Sequence, residues 1–463
     1  MTRVVFVSNR LWMPRKGAVA GGLAIGVMGA MRARGGLWVG WNGEISDQAT
    51  PRADLIRRDG LSFAPLELSR AEYEDYYLGF SNTVLWPLFH YFLHSFQYSD
   101  QQYESYQSTN RRIAQIVAMH LRAQDCIWVH DYHFLPLGQK LRDCGVASPI
   151  GFFLHIPFPS FEVLRVLPAY AELLNSMLAY DLIGFQTTHD RENFLAAARA
   201  MWGADAVDSE GLIKVGAHCV QTGVFPIGVD VAAIQQAAEA AQAGEPCRRM
   251  VSGLLQRRLI IGVDRLDYSK GLVERFRAYE RFLESYPENR GGVTLLQIAP
   301  LSRTDVQAYS AIRNALEQAS GRTNGRFADT DWTPIRYLNR NVAHSTLMGY
   351  LRAAQVGLVT PVRDGMNLVA KEFVAAQNPL DPGVLVLSCL AGAAQELSAA
   401  LLVNPYDQRG VAHALQSALA MPRAERCERH HAMLAVLSAN DINAWHRSFL
   451  DRLMHTRTRT GGA

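Results

Sequence analysis

Short apolar runs alternate with amphipathic stretches along nearly the whole chain. This alternation is typical of parallel β-sheets whose faces are covered by helices. Longer periodic stretches predict helices over residues 103–122 and 162–178. The apolar runs predict ten strands: Val4–Ser8, Leu37–Trp41, Ile127–His130, Ile150–His155, Asp181–Phe185, Leu259–Val263, Thr294–Ala299, Ile335–Leu338, Val356–Thr360 and Val384–Ser388.

One interruption divides this pattern. Residues 232–247 are rich in alanine and glutamine and predict a helix followed by a linker. A chain of 463 residues is also too long for one ordinary core. We therefore expect an α/β fold with two doubly wound domains, residues 1–230 and 231–440. The polar, glycine-ended residues 456–463 are expected to be a disordered tail.

Composition narrows the class of protein. The net charge of +3 gives no global field for binding nucleic acid or an anionic membrane. The six cysteines form no CxxC motif, which argues against a zinc ribbon or a disulfide framework. The uncharged run at residues 80–99 is interrupted by polar residues, so we interpret it as a buried aromatic segment rather than a membrane span. No signal peptide precedes the first strand, and we expect a cytoplasmic protein.

Polar residues follow the predicted strands, where doubly wound sheets bind their ligands. If the carboxyl-end edges of the two predicted sheets face each other, they form one cleft. Asn9-Arg10, His130-Asp131 and His155 occupy these positions in the first half, and Asp264-Arg265, Arg303 and Arg363-Asp364 occupy them in the second half.

A glycine pair, Gly21-Gly22, precedes an apolar helix. It would let backbone N–H groups approach a phosphate, or would simply allow close helix packing, and the sequence favours neither interpretation. The spacing of Gly22, Gly26 and Gly29 differs from GxGxxG, which disfavours a dinucleotide site.

Histidines follow two neighbouring strands. His130, Asp131 and His133 lie in a strand-to-helix turn, without the i, i+4 spacing of HExxH, so a metal site is disfavoured. Asp131 and His155 are better interpreted as ordering sugar hydroxyls. The structural alternative is that His130 and His133 are satisfied by backbone groups.

Two cations, Arg265 and Lys270, follow one strand of the second half. They would clamp a diphosphate and stabilise the charge that builds as it leaves, or would form surface ion pairs with Asp264 or Asp267. After another strand, Asp364 precedes a helix that carries Glu372. The structural alternative there is an N-capping aspartate and an exposed glutamate.

Taken together, these segments resemble the trehalose-6-phosphate synthase family of retaining glycosyltransferases. The likeness runs from Val4 to about residue 443. Leu301 and Asp264 depart from the expected pattern. The matching motifs are VSNR at 7–10, AGGLA at 20–24, FSNTVLWPLFHY at 80–91, HDYHFLP at 130–136, GFFLHIPFP at 151–159, DRLDYSKG at 264–271, QIAPLSR at 297–303 and TPVRDGMNLVAKE at 360–372.

The resemblance implies two facing Rossmann-like domains of GT-B architecture, with a deep interdomain cleft and a helix over 441–455 crossing back to the first domain. It implies a nucleotide-sugar site at Gly22, Arg265, Lys270, Asn367, Leu368 and Glu372, with the donor glucose held by His155 and Asp364. It implies a glucose 6-phosphate site at Arg10, Tyr77, Trp86, Asp131 and Arg303. The catalytic residues would be Arg265, Lys270, Asp131, His155 and Asp364.

The implied reaction is glucosyl transfer with retention from UDP-glucose to glucose 6-phosphate, without metal or cofactor. GDP- and ADP-glucose remain alternative donors. The resemblance also implies a homo-oligomer, a dimer or a tetramer. Three other functions are alternatives: a transferase for glycerol phosphate or a cyclitol phosphate, a non-catalytic sensor, and a nicotinamide-dependent oxidoreductase.

Overall fold

A computed structural model describes residues 2–13, 22–49, 51–301 and 307–460. The chain forms two compact units. Unit 1 comprises Met1–Ile227 together with Ile442–Ala463, and unit 2 comprises Gly228–Asp441. Each unit contains one predominantly parallel sheet, so the predicted α/β fold with two Rossmann-like domains is confirmed.

All ten predicted strands are present; two match the predicted bounds at both ends, and the ends of the others differ by at most five residues. Five further strands extend the sheets. In unit 1 the strands are β1 (Val4–Arg10), β2 (Gly36–Ser46), β3 (Ile56–Arg58), β4 (Leu61–Ser69), β5 (Cys126–His130), β6 (Ile150–Phe153), β7 (Leu182–Phe185), β8 (Ile213–Val215) and β9 (His218–Val224). In unit 2 they are β10 (Arg258–Val263), β11 (Val293–Ile298), β12 (Ile335–Leu338), β13 (Val356–Val359), β14 (Val384–Ser388) and β15 (Leu401–Val403).

Sixteen α-helices lie in the described residues, and a 14-residue π-helix, Glu72–Leu85, precedes the second of them. The α-helices are α1 (Gly22–Arg34), α2 (Trp86–Phe89), α3 (Asp100–His120), α4 (Leu137–Asp143), α5 (Phe161–Leu164), α6 (Tyr170–Met177), α7 (Thr188–Trp202), α8 (Val231–Gln242), α9 (Glu245–Ser252), α10 (Leu272–Ser285), α11 (Gln307–Phe327), α12 (His344–Ala353), α13 (Leu368–Ala376), α14 (Gln408–Ala420), α15 (Arg423–Ala439) and α16 (Ile442–Thr460).

Both sheets have the strand order of a dinucleotide-binding fold. In unit 2 the order is β12-β11-β10-β13-β14-β15, and all neighbouring strands are parallel. In unit 1 it is β3-β4-β2-β1-β5-β6-β7-β9-β8, with antiparallel pairing only at the two edges among the described strands. The order reverses between β1 and β5 and between β10 and β13. Such switch points open a crevice at the carboxyl ends of the strands.

The C-terminal helix α16 completes the core of unit 1. The ring of Phe449 stacks on Trp128 of β5 with centroids 4.4 Å apart. Gly151 and Gly184, on neighbouring strands, leave the recess for this ring, because a Cβ on either glycine would lie 2.7 Å from it. Larger residues at these two positions would displace α16 from the sheet.

Four sequence expectations need correction. The helix predicted over 162–178 is two helices, α5 and α6, because Pro168 lacks the N–H of a continuous helix and clashes with the preceding turn. The predicted linker at the end of 232–247 begins helix α9, where Cys247 is buried and its thiol contacts the Gly349 carbonyl.

The third correction concerns the aromatic segment at residues 80–99. It is buried only as far as His90, and Tyr91 and Leu93 are exposed. The fourth correction concerns the expected tail, because helix α16 continues through residues 456–460. Among the described residues no helix is long and apolar enough to cross a membrane.

Candidate active site

The loops after β10 and β13 meet at the switch point of unit 2. Lys270 Nζ lies 2.5 Å from Asp364 Oδ2, and both side chains are largely buried. The backbone joins the loops too, because Val362 N–H donates to the Ser269 carbonyl over 2.9 Å. The structural alternative, a surface ion pair with Asp264 or Asp267, is therefore wrong for Lys270, and the lysine is held against Asp364 instead.

Asp364 is oriented by its own loop. Asn367 donates an amide N–H to Asp364 Oδ2 over 3.1 Å, while its Oδ1 accepts from Ala370 N–H and caps α13. Asn367 adopts a left-handed conformation with φ of 80°. The alternative that Asp364 is the helix cap is wrong, because Asn367 provides the cap. The Asp364 carboxylate is left beside a lysine at the strand ends.

A buried arginine that the sequence analysis missed supports this loop. Arg275 of α10 contacts Asp264 Oδ2 at 2.5 Å and Thr360 Oγ1 at 3.0 Å. It also donates to the Lys270 carbonyl over 3.4 Å. Burial raises the pKa of the Asp264 carboxyl, and the charge of Arg275 opposes that rise. One sequence signal could have indicated Arg275. Asp264 departs from the family pattern, and a buried carboxylate at that position needs a buried cation nearby.

The other predicted donor residues of unit 2 lie in α13 and in the loop after β10. Glu372 is largely buried, and its Oε1 lies 3.5 Å from His344 Nε2, so the exposed glutamate of the structural alternative is wrong. This carboxylate raises the pKa of His344. Arg265 is exposed, and Leu368 is the first residue of α13.

Two of the predicted acceptor residues, Arg10 and Tyr77, contact the same tryptophan in unit 1. The exposed Arg10 guanidinium lies 4.7 Å from the centroid of Trp41. Tyr77, from the π-helix, meets the same Trp41 edge-on with centroids 5.2 Å apart. Gly43 adopts φ of 98°, and a Cβ there would overlap the Arg10 guanidinium. Trp41 and Gly43 were missed by the sequence analysis, although Trp41 ends a predicted strand.

Trp86 and Asp131 complete the described part of this group. Trp86 is buried, with its ring 5.7 Å from that of Tyr132. Asp131 has φ of 80°, and its Oδ1 accepts the backbone N–H of His155 over 3.2 Å. A non-glycine residue in this region is uncommon and often marks a functional position. Arg303 lies outside the described residues. Gly22 is the first residue of α1.

His130 is fully buried, and it contacts the partly buried His155. His130 Nδ1 lies 3.1 Å from His155 Nε2, so the alternative that His130 is satisfied by a backbone group is wrong for that nitrogen. Burial lowers the pKa of His155 to about 3 and that of His130 well below its usual range. Both imidazoles are therefore neutral at physiological pH. Among the described residues, no three His, Cys, Asp or Glu side chains are grouped as metal ligands.

Comparison with known proteins decides the class of this site. The model of glycosyltransferase family 20 matches residues 12–455. The chain belongs to glycosyltransferase family 20. A trehalose-6-phosphate synthase of Sodalis glossinidius is 49% identical over 98% of this chain and 96% of its own length. The one from Klebsiella pneumoniae is 48% identical over 99% of this chain and 97% of its own length. The resemblance found from the sequence is confirmed.

Solved structures of the family agree. An α,α-trehalose-phosphate synthase (UDP-forming) from Burkholderia xenovorans, in complex with glucose 6-phosphate, is 47% identical with a TM-score of 0.94, covering 98% of this chain and 100% of its own. An Escherichia coli structure bound with UDP-2-fluoro glucose is 46% identical with a TM-score of 0.93, covering 98% of this chain and 99% of its own. The GT-B fold and the glycosyltransferase activity expected from the sequence are thereby confirmed.

Proposed function

We propose that this chain transfers glucose from UDP-glucose to glucose 6-phosphate with retention, forming α,α-trehalose 6-phosphate and UDP. The observation that carries this proposal is the full-length similarity to trehalose-6-phosphate synthases, with 49% identity over 98% of the chain. The placement of Lys270, Asp364, Arg10 and Asp131 at switch points supports it.

In the donor site, Lys270 and Arg265 bind the diphosphate and Asp364 binds the glucose. An ammonium group has three N–H donors, so the ion pair of Lys270 with Asp364 occupies one and leaves two for phosphate oxygens. Asp364 thus fixes the lysine, and the lysine places its charge where the leaving group becomes more negative. Charges that are already held in place stabilise a transition state because the protein need not reorganise during the reaction. The remaining donor contacts are assigned to Gly22, His155, Asn367, Leu368 and Glu372.

In the acceptor site, Arg10 and Arg303 bind the phosphate of glucose 6-phosphate, and Tyr77, Trp86 and Asp131 bind its sugar ring. Trp41 packs against Arg10 and restricts its guanidinium. A planar guanidinium suits phosphate because two parallel N–H groups meet two oxygens.

The transfer breaks the bond between the glucose anomeric carbon and the UDP oxygen and forms a bond to the acceptor 1-hydroxyl on the same face. The acceptor proton goes to the departing phosphate oxygen, so no protein nucleophile is needed. Positioning and charge stabilisation supply the acceleration. We further propose that the enzyme needs no metal, acts in the cytoplasm and forms a homo-oligomer.

The test is incubation of purified protein with UDP-glucose, glucose 6-phosphate and a chelator. Nucleotide release that depends on glucose 6-phosphate, with two α-anomeric couplings in the proton NMR spectrum of the product, supports the proposal. Release only with GDP- or ADP-glucose, or only with another phosphorylated acceptor, would assign a different substrate pair. Binding of every pair without turnover would favour the sensor. Light scattering measures the oligomeric state.

A further inference from the structure

A directional chain of hydrogen bonds runs through the partly buried His155 of unit 1 and ends at the buried His130. Gln186 follows β7, and its Oε1 accepts the backbone N–H of Ile227 over 2.9 Å. This bond fixes which end of the amide is oxygen. The amide nitrogen of Gln186 then points at His155 Nδ1, 3.5 Å away.

The amide determines the tautomer of His155. An amide NH2 group only donates, so His155 Nδ1 must present its lone pair. A neutral imidazole then carries its proton on Nε2, which donates to His130 Nδ1 over 3.1 Å. His130 in turn carries its proton on Nε2. All donors along Ile227, Gln186, His155 and His130 therefore point in one direction.

The surroundings oppose a second proton on His155. An added Nδ1–H would face the Gln186 N–H groups, donor against donor. On the other side of the ring, the fully buried His130 would lie against a positively charged imidazolium. Of the described charged or titratable groups, Asp131 is the other one in contact, and it binds the backbone N–H of His155 rather than its ring. Trp445 of α16 covers the ring with centroids 6.0 Å apart.

We propose that Gln186 and His130 are positioning residues that hold His155 as the neutral Nε2–H tautomer during glucosyl transfer. The proposal rests on the proposed function, in which His155 contacts the donor glucose. A glucosyl group gains positive charge as its bond to the leaving group breaks. A cationic imidazolium beside it would raise the barrier, whereas a locked neutral ring does not.

The first measurement is two-bond ¹H–¹⁵N NMR on the whole chain with labelled histidines. It distinguishes Nε2–H, Nδ1–H and the imidazolium for each ring, and His155→Gln assigns the signal. We expect His155 as Nε2–H across pH 5–8. An Nδ1–H tautomer in the wild-type protein would overturn the proposal.

The second measurement uses Gln186→Glu, which keeps the side-chain length and the acceptor for Ile227 but replaces the NH2 donor by an acceptor. We expect His155 to gain an Nδ1–H and kcat to fall about 10- to 100-fold, by analogy with the loss of activity when a partner that orients a metal-binding histidine is removed. KM for glucose 6-phosphate should stay unchanged. Gln408→Glu, exposed on α14 in unit 2, is the matched control.

The outcomes separate structure from catalysis. If folded Gln186→Glu kept the wild-type tautomer and kcat, the proposal would be wrong. If that variant failed to fold, His130→Gln, which removes the acceptor ring, should still lower kcat more than it raises KM. Absence of glucosyl transfer by the wild-type protein would refute the proposed function and, with it, the catalytic reason for the tautomer. The NMR spectrum would still show whether the hydrogen bonds from Gln186 to His130 set the tautomer of His155.

Discussion

Lys270 Nζ and Asp364 Oδ2 lie 2.5 Å apart and join the loops that follow β10 and β13, two neighbouring strands of the unit 2 sheet. The two residues are 94 positions apart in the sequence. Each one limits the freedom of the other at the place where the proposed function puts the leaving diphosphate and the donor glucose.

Removing the lysine charge should therefore slow the reaction itself. We expect Lys270→Ala to lower kcat about 100- to 1000-fold, the cost of removing one stabilising group from a transition state. Asp364→Asn should also lower kcat. The double variant should lose less than the product of the two single losses, because the residues act as a pair. Lys214→Ala, an exposed lysine of unit 1, is the control. Unchanged turnover of Lys270→Ala with normal donor binding would remove the residue from the mechanism.

Gly43 provides a test of the acceptor phosphate site. In Gly43→Ala the new methyl group would displace the Arg10 guanidinium. A hydrogen bond to a charged group contributes about 1.5–3 kcal/mol, so we expect KM for glucose 6-phosphate to rise about 10- to 100-fold. Gly60→Ala is a matched control, since Gly60 also has positive φ but no atom within 4 Å of the added Cβ among the described residues. Equal effects of the two variants would point to backbone strain rather than to Arg10.

The buried histidines predict sensitivity to acid. The folded pKa values of His130 and His155 are lowered, so below pH of about 6.5 the unfolded chain binds protons that the folded chain does not. The free energy of unfolding should thus fall as pH decreases from about 6.5 toward 4, by up to about 1.4 kcal/mol per pH unit for each histidine. Urea unfolding at several pH values measures this slope.

One variant isolates the contribution of the histidine pair to that slope. His130→Gln should make the pH dependence shallower, whereas His94→Gln, at an exposed position, should leave it unchanged. An identical slope in wild type and His130→Gln would show that His130 is already charged in the folded protein.

Lys371 and Glu396 form a buried ion pair in unit 2. Their Nζ and Oε2 atoms lie 2.5 Å apart, and the lysine side chain is fully buried. We expect Lys371→Ala to destabilise the protein by about 3–5 kcal/mol, because it leaves a largely buried carboxylate without its cation. Lys371→Met with Glu396→Leu should recover most of that loss in denaturant unfolding. A double variant as unstable as Lys371→Ala would show that the cost comes from packing.

The strands were predictable where β-branched residues fill them, and less so elsewhere. Strand β4 was missed because Leu61–Ser69 contains no valine, isoleucine or threonine and includes Pro65. Strand β10 and strand β13 were found because apolar runs with aliphatic residues precede polar loops. Pro168, which interrupts the predicted long helix, was visible in the sequence, but the apolar periodicity continues across it.

The candidate site was predictable as a set of strand ends but not as pairs. Parallel strands bring loops together at one edge, so Lys270 and Asp364 were both identified. Which atoms would meet depends on loop conformations with positive φ, as at Asn367. Gln186 gave no signal, because a glutamine after a strand has no special meaning until its two hydrogen-bond partners are known.

Helix α16 has a consequence for how the chain is made. The core of unit 1 includes Phe449, whereas Gly228–Asp441 contains every residue of unit 2. On a ribosome the first 227 residues emerge early but wait, with the recess over Gly151 and Gly184 unfilled, until residues 442–456 are synthesised. Unit 2 is therefore able to finish folding before the unit whose synthesis began first.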